Sequence, residues 1–198
     1  MLLKILKQNW QKVLLTTLFG AVVGVLAFYL IPSKYIATGS FYVKRMVQSN
    51  GSAYFSYEGY YGQQTAQAYT GTLMGLLEST DIKSLALNKL NIEVTESSLR
   101  KFSRNVNVTK SAPQLITLSV KSTSGKSAED KWQALSQSAL DTATILNQSG
   151  DPFITISKVS QAPIVKMEFR NLAVNFGIGL GLGFIISVFI LTLKKYLQ

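Results

Sequence analysis

The adjacent acids Glu129-Asp130, the tyrosines at 54, 57, 60 and 61, and the basic residues Arg100, Lys101 and Arg104 are the groups best placed to do chemistry in this sequence. Successive helix residues diverge by about 100°, so Glu129 and Asp130 do not converge on one substrate atom or metal ion. They read as carboxylates complementing a helix dipole, with Ser127-x-x-Asp130 resembling a capping box. The chain has neither histidine nor cysteine, which removes the usual neutral-pH acid–base group, thiolate nucleophiles and the commonest metal ligands. No catalytic residue, cofactor or metal is therefore expected. Tyr54, Phe55, Tyr57, Tyr60 and Tyr61 read as an aromatic loop whose ring faces suit glycan stacking, a subunit contact, or folding back onto the sheet or the lipid headgroups. Arg100, Lys101 and Arg104 fit a solvated face or a contact with an anionic glycan or lipid.

The elements holding these groups lie between two apolar ends. Val13 to Ile31 is free of charge and reaches close to the ~30 Å of a bilayer core before Pro32 stops it. Leu172 to Leu193 is a second such run, with Asn175 near its outer end. The first run is longer than the h-region of a cleavable signal peptide and ends in Phe-Tyr-Leu-Ile-Pro without small residues, which favours a retained anchor. Lys4, Lys7 and Lys12 precede the first run, and Lys194 and Lys195 follow the second. By the positive-inside rule both termini are expected in the cytoplasm of a two-pass protein of the cell membrane. The resulting organisation is a cytoplasmic segment 1–12, a membrane helix 13–31, an extracytoplasmic domain 32–171, a membrane helix 172–193 and a cytoplasmic tail 194–198. Gly20 and Gly24, and the interleaved Gly177, Gly179, Gly181 and Gly183, are candidate close-packing positions, within the pair of helices or between subunits of a homo-oligomer. The G-x-G-x-G-x-G string is no nucleotide fingerprint, because it lies inside an apolar run with no strand before it.

All ten acids lie between Glu58 and Glu168. The middle keeps a moderate, scattered surplus of base, which supports no nucleic-acid partner. Tyr35 to Arg45 reads as a strand, Met46 to Gly62 as a loop, and Gln63 to Glu78 as an amphipathic helix through Ala66, Tyr69, Leu73, Leu76 and Leu77. A short helix capped by Ser79 or Thr80 follows, then a brief one capped by Thr95. Val106 and Val108, and then Ile116, Leu118 and Val120, alternate as a hairpin about Ser111-Ala112-Pro113. Ser127 to Gln148 carries the stripe Ala128, Trp132, Leu135, Ala139, Ala143 and Leu146, and Phe153 to Val159 is expected as the last strand. The fold class is thus α+β, a ferredoxin-like βαββαβ domain with helices on one sheet face, held between two membrane helices.

Three stretches in this order resemble the Wzz-type chain-length determinants, the polysaccharide co-polymerases. They are Gly62 to Ile92 with its closing Lys-Leu-Asn-Ile, the strand–turn–helix of Ala112 to Leu140, and Pro163 before the second apolar run. The resemblance covers nearly the whole chain, but one proline stands where several are expected. The long distal helix of larger relatives looks absent, and no Walker A sequence or tyrosine-rich tail follows the second run. The resemblance implies a non-enzymatic regulator of O-antigen, capsule or exopolysaccharide length. Its implied partners are other copies of the chain, a polymerase and a lipid-linked glycan, and a separate tyrosine kinase is left open. The alternative is a membrane-anchored scaffold of a secretion or pilus assembly.

Overall fold

The computed structural model describes residues 9–46 and 57–197. In chain order the elements are α1 (Trp10–Leu30), β1 (Tyr35–Arg45), α2 (Tyr57–Glu78), α3 (Thr80–Lys89), α4 (Glu96–Arg104), β2 (Val106–Ala112), β3 (Leu115–Ser122), α5 (Gly125–Ser149), β4 (Ile154–Lys158), β5 (Ile164–Met167) and α6 (Leu172–Tyr196). They form two compact units, Lys34–Glu168 and the two terminal segments.

The middle unit is α+β with a five-stranded antiparallel sheet in the order β2-β3-β1-β4. β5 also pairs with β1, on the side that β4 occupies further along. β1 alternates, with Ala37, Phe41 and Val43 buried, and β3 buries Ile116, Leu118 and Val120 in the same period of two. These residues meet Leu73 and Leu77 of α2 and Ala128, Trp132, Leu135 and Ala139 of α5 in one core. Trp132 stacks on Phe41 with ring centroids 5.7 Å apart and donates its indole N–H to the Leu118 carbonyl at 3.0 Å. The ring lies over Gly39, where any Cβ would run into it. Hydroxyls line the opposite sheet face and pair across strands, Thr38 with Ser119 at 3.1 Å and Ser40 with Thr117 at 3.0 Å. A sheet apolar on one face and hydroxylated on the other needs helices on one side only.

Several boundaries differ from expectation. α2 begins at Tyr57, so Tyr57, Tyr60 and Tyr61 belong to a helix and not to a loop; their i, i+3, i+4 spacing is itself helical. Tyr54 and Phe55 lie outside the described residues. α5 is capped by Ser124, whose hydroxyl accepts from the Ser127 N–H at 3.2 Å, so the helix starts before the expected Ser127 cap. The hairpin turns at 113–114, with a bulge between Lys110 and Ala112. The last expected strand is shorter, Ile154–Lys158, and a fifth strand follows it. Pro163, which has no N–H to give to a ladder, is buried immediately ahead of β5, between two edge strands and nine positions before α6. The expected caps Ser79 and Thr95 are present, the latter in a reciprocal box with Ser98.

In the terminal unit α1 and α6 lie antiparallel, Gly20 against Gly179 and Gly183, and Gly24 against Asn175 and Gly179. Both helices are long and apolar enough to cross a membrane, and only 11% and 17% of their apolar windows are buried. The core helix of a water-soluble protein would be mostly buried; here Leu15, Phe19, Ile185 and Phe189 are exposed.

Candidate functional site

The six candidate glycines divide into two sets. A Cβ on Gly20 would meet the Gly179 carbonyl oxygen at 2.5 Å, and one on Gly183 would meet the Thr16 carbonyl oxygen at 2.8 Å. Gly24 stands equally close to the Asn175 carbonyl, and Gly179 to that of Gly20. These four form a seam where the two backbones touch, which only glycine permits. Gly177 and Gly181 meet nothing within 4 Å and lie on another face of α6. The seam ends at Arg170, which no sequence signal singled out. Its guanidinium donates to the Phe28 carbonyl at 2.7 Å and to the Ile31 carbonyl, and lies 4.7 Å from the centroid of the Phe28 ring. It thereby satisfies carbonyls that the end of α1 leaves without a helical partner.

On α2, Tyr60 and Tyr61 are exposed and in edge-to-face contact, with centroids 6.0 Å apart. Gln64 donates to the Tyr60 hydroxyl at 3.0 Å. Two broad rings open to solvent beside an amide can contact a sugar or a protein surface.

Arg100, Lys101 and Arg104 do come together, and they are joined by residues distant in sequence. With Lys34 they line a groove of about 880 Å³ whose remaining wall is Thr95, Glu96, Ser97 and Asn105. A second hollow of about 380 Å³ shares Ser97, Lys101 and Asn105 and adds Lys131 of α5. Burial lowers the pKa of the Lys131 ammonium, and the neighbouring Lys101 lowers it further. Glu96 is engaged by Arg100 at 2.7 Å. Beside the groove Lys121 holds Glu168 at 2.7 Å; that hydrogen bond above all, with the fields of Lys121 and Lys34, keeps the carboxyl below its ordinary range against its partial desolvation. The cluster is electropositive because more cations than acids converge on it. Lys34 and Lys131 lie 97 positions apart, and the fold brings each to a hollow lined by Lys101.

Glu129 and Asp130 face no common point; Glu129 accepts from Gln133 at 3.3 Å along its own helix. Searches against protein-family models and against curated proteins find no match to this chain.

Proposed function

We propose that this is a two-pass membrane protein whose outward-facing middle unit regulates the length of a surface polysaccharide, in the manner of the Wzz-type family it resembles. The observation that carries the reading is the pairing of the strands that lead to the two apolar helices. Tyr35 stands opposite Met167, and the Glu168 N–H donates to the Lys34 carbonyl at 2.7 Å. The polypeptide thus enters and leaves the middle unit at adjacent points, as a domain held on one paired stalk requires. The order β2-β3-β1-β4, with helices between β1 and β2 and between β3 and β4, supports a ferredoxin-like split βαβ sandwich. Trp10 and Tyr29, both exposed, stand near the ends of α1. Their separation of nineteen residues corresponds to about 28 Å of helix, close to the spacing of the two aromatic belts of a bilayer.

In this reading the termini are cytoplasmic and copies of the chain assemble beside a polymerase and its lipid-linked glycan. The protein performs no bond chemistry and biases elongation against termination. Deleting the gene should then broaden or shift the modal polymer length on a polysaccharide gel while single repeat units still reach the surface. An unaltered ladder combined with loss of pili or secretion would favour the scaffold. Orientation is checked separately: a Lys126→Cys thiol should react with an impermeant reagent in intact cells or spheroplasts, and a reporter fused after Gln198 should behave as cytoplasmic. Protection of that thiol would reverse the topology.

A further inference from the structure

Like charges converging in a groove cost stability unless a counter-charge joins them, so the cluster around α4 asks for a ligand. Its cations come from three elements: Lys34 just ahead of β1, Arg100, Lys101 and Arg104 on α4, and Lys131 on α5. Among the described residues no carboxylate lies within ion-pair distance of Lys101 or Arg104, and Glu96 is already taken by Arg100. The groove is a shallow, open one with room for a headgroup. The chain path supplies a location. Lys34 follows the last residue of α1, Leu30, by four positions, a tether of at most about 14 Å.

We propose that this groove binds the phosphate of an anionic lipid headgroup at the outer membrane–water boundary. Arg100 and Arg104 would present guanidinium forks to the phosphate oxygens, and Lys34 and Lys101 would add point charges. A soluble phosphate offers the same chemistry, and the test below separates the two sources. The inference rests on the two-pass reading and is independent of polymer-length control.

The test uses the full chain in nanodiscs of phosphatidylcholine alone or mixed with phosphatidylglycerol, labelled with an amine-acylating reagent and read by mass spectrometry. With phosphatidylglycerol, Lys34 and Lys101 should label roughly fivefold more slowly, the scale of an interaction between one lysine and an anionic surface. The exposed Lys44 and Lys110, toward the opposite end of the sheet from Lys34, should not change. In the double variant Arg100→Gln, Arg104→Gln the protection should shrink, with thermal unfolding checked to show that the unit still folds. Millimolar inorganic phosphate added to phosphatidylcholine discs separates the sources: equal protection there identifies a soluble phosphate as a sufficient ligand and overturns the lipid assignment. Equal labelling in every condition, or protection shared by Lys44 and Lys110, would also overturn it. A chain that fails to assemble into discs reports against the two-pass reading instead, so the two failures are distinguishable.

Discussion

Asn91 is the one non-glycine residue with positive φ among the described residues, at 56°. Around it the Ile92 N–H donates to the Leu87 carbonyl and the Asn91 N–H to the Asn88 carbonyl, both at 3.0 Å, which is the Schellman way of ending a helix. The phrase Lys89-Leu90-Asn91-Ile92 that carried part of the family resemblance therefore has a local physical cause. Asparagine or glycine is what a left-handed position accepts, so the phrase is a good signal of a helix stop and a weak signal of kinship. Asn91→Gly should leave the urea midpoint of the middle unit unchanged or raised, whereas Asn91→Val should cost about 1–2 kcal/mol. Gly39→Ala should be destabilising by about 1–3 kcal/mol in the same measurement, because its Cβ collides with the indole of Trp132 and that ring is pinned by the Leu118 carbonyl. Equal stability of Gly39→Ala and the parent would mean that the ring moves aside without loss.

Among the elements, those with a clean period were legible and those set by long-range pairing were not. The stripes of α2 and α5 and the alternation of β3 are visible as spacing. β3 buries the residues expected of it, whereas Tyr69 and Leu76 of α2 are only half-buried. The α5 stripe is buried from Ala128 to Ala143 but not at Leu146, which is exposed because it lies beyond the end of the core. The first turns of α2 were hidden by composition, since Gly59 and Gly62 among tyrosines read as a loop although the tyrosine spacing is helical. β5 offers four residues, all exposed, and exists because β1 is long enough to hold a second partner beyond β4. The glycines of α6 were legible as a class but not by face. Residues two apart point about 200° away from each other, so Gly177 and Gly179 cannot share a seam, and only the position of α1 decides which set is used. Gly179→Leu should lower the thermal stability of the helix pair in mild detergent, and Gly181→Leu should leave it unchanged. If the open face meets another subunit, as the proposed assembly implies, Gly181→Leu should instead weaken the cross-linked oligomer ladder in membranes. An intact ladder would assign Gly177 and Gly181 to lipid.

For the whole molecule, three carboxylates hold the middle unit's elements together and set its response to acid. Hydrogen bonds to Arg45 for Asp151, to Lys89 and Gln137 for Asp141, and to Lys121 for Glu168 are the leading causes that hold each pKa below its ordinary value. A carboxyl that is more acidic when folded adds stability above its unfolded pKa of about 4 and loses it as pH falls through the folded value. The melting temperature should therefore be insensitive to these groups above about pH 5 and fall below about pH 4, and Asp151→Asn should flatten part of that fall. A melting temperature rising on acidification would contradict these pairings. The order of elements could be read along the chain, but the groove could not, because Lys34 and Lys131 each join the α4 cations only when β1 lies beside β3 and α5 packs on the sheet. The Tyr35–Met167 pairing has one more consequence, a genetic one. A unit whose ends are adjacent is a cassette: it can be cut out at 34 and 168, closed with a short linker and reopened elsewhere, or exchanged between unrelated pairs of anchors, without asking its sheet to change register.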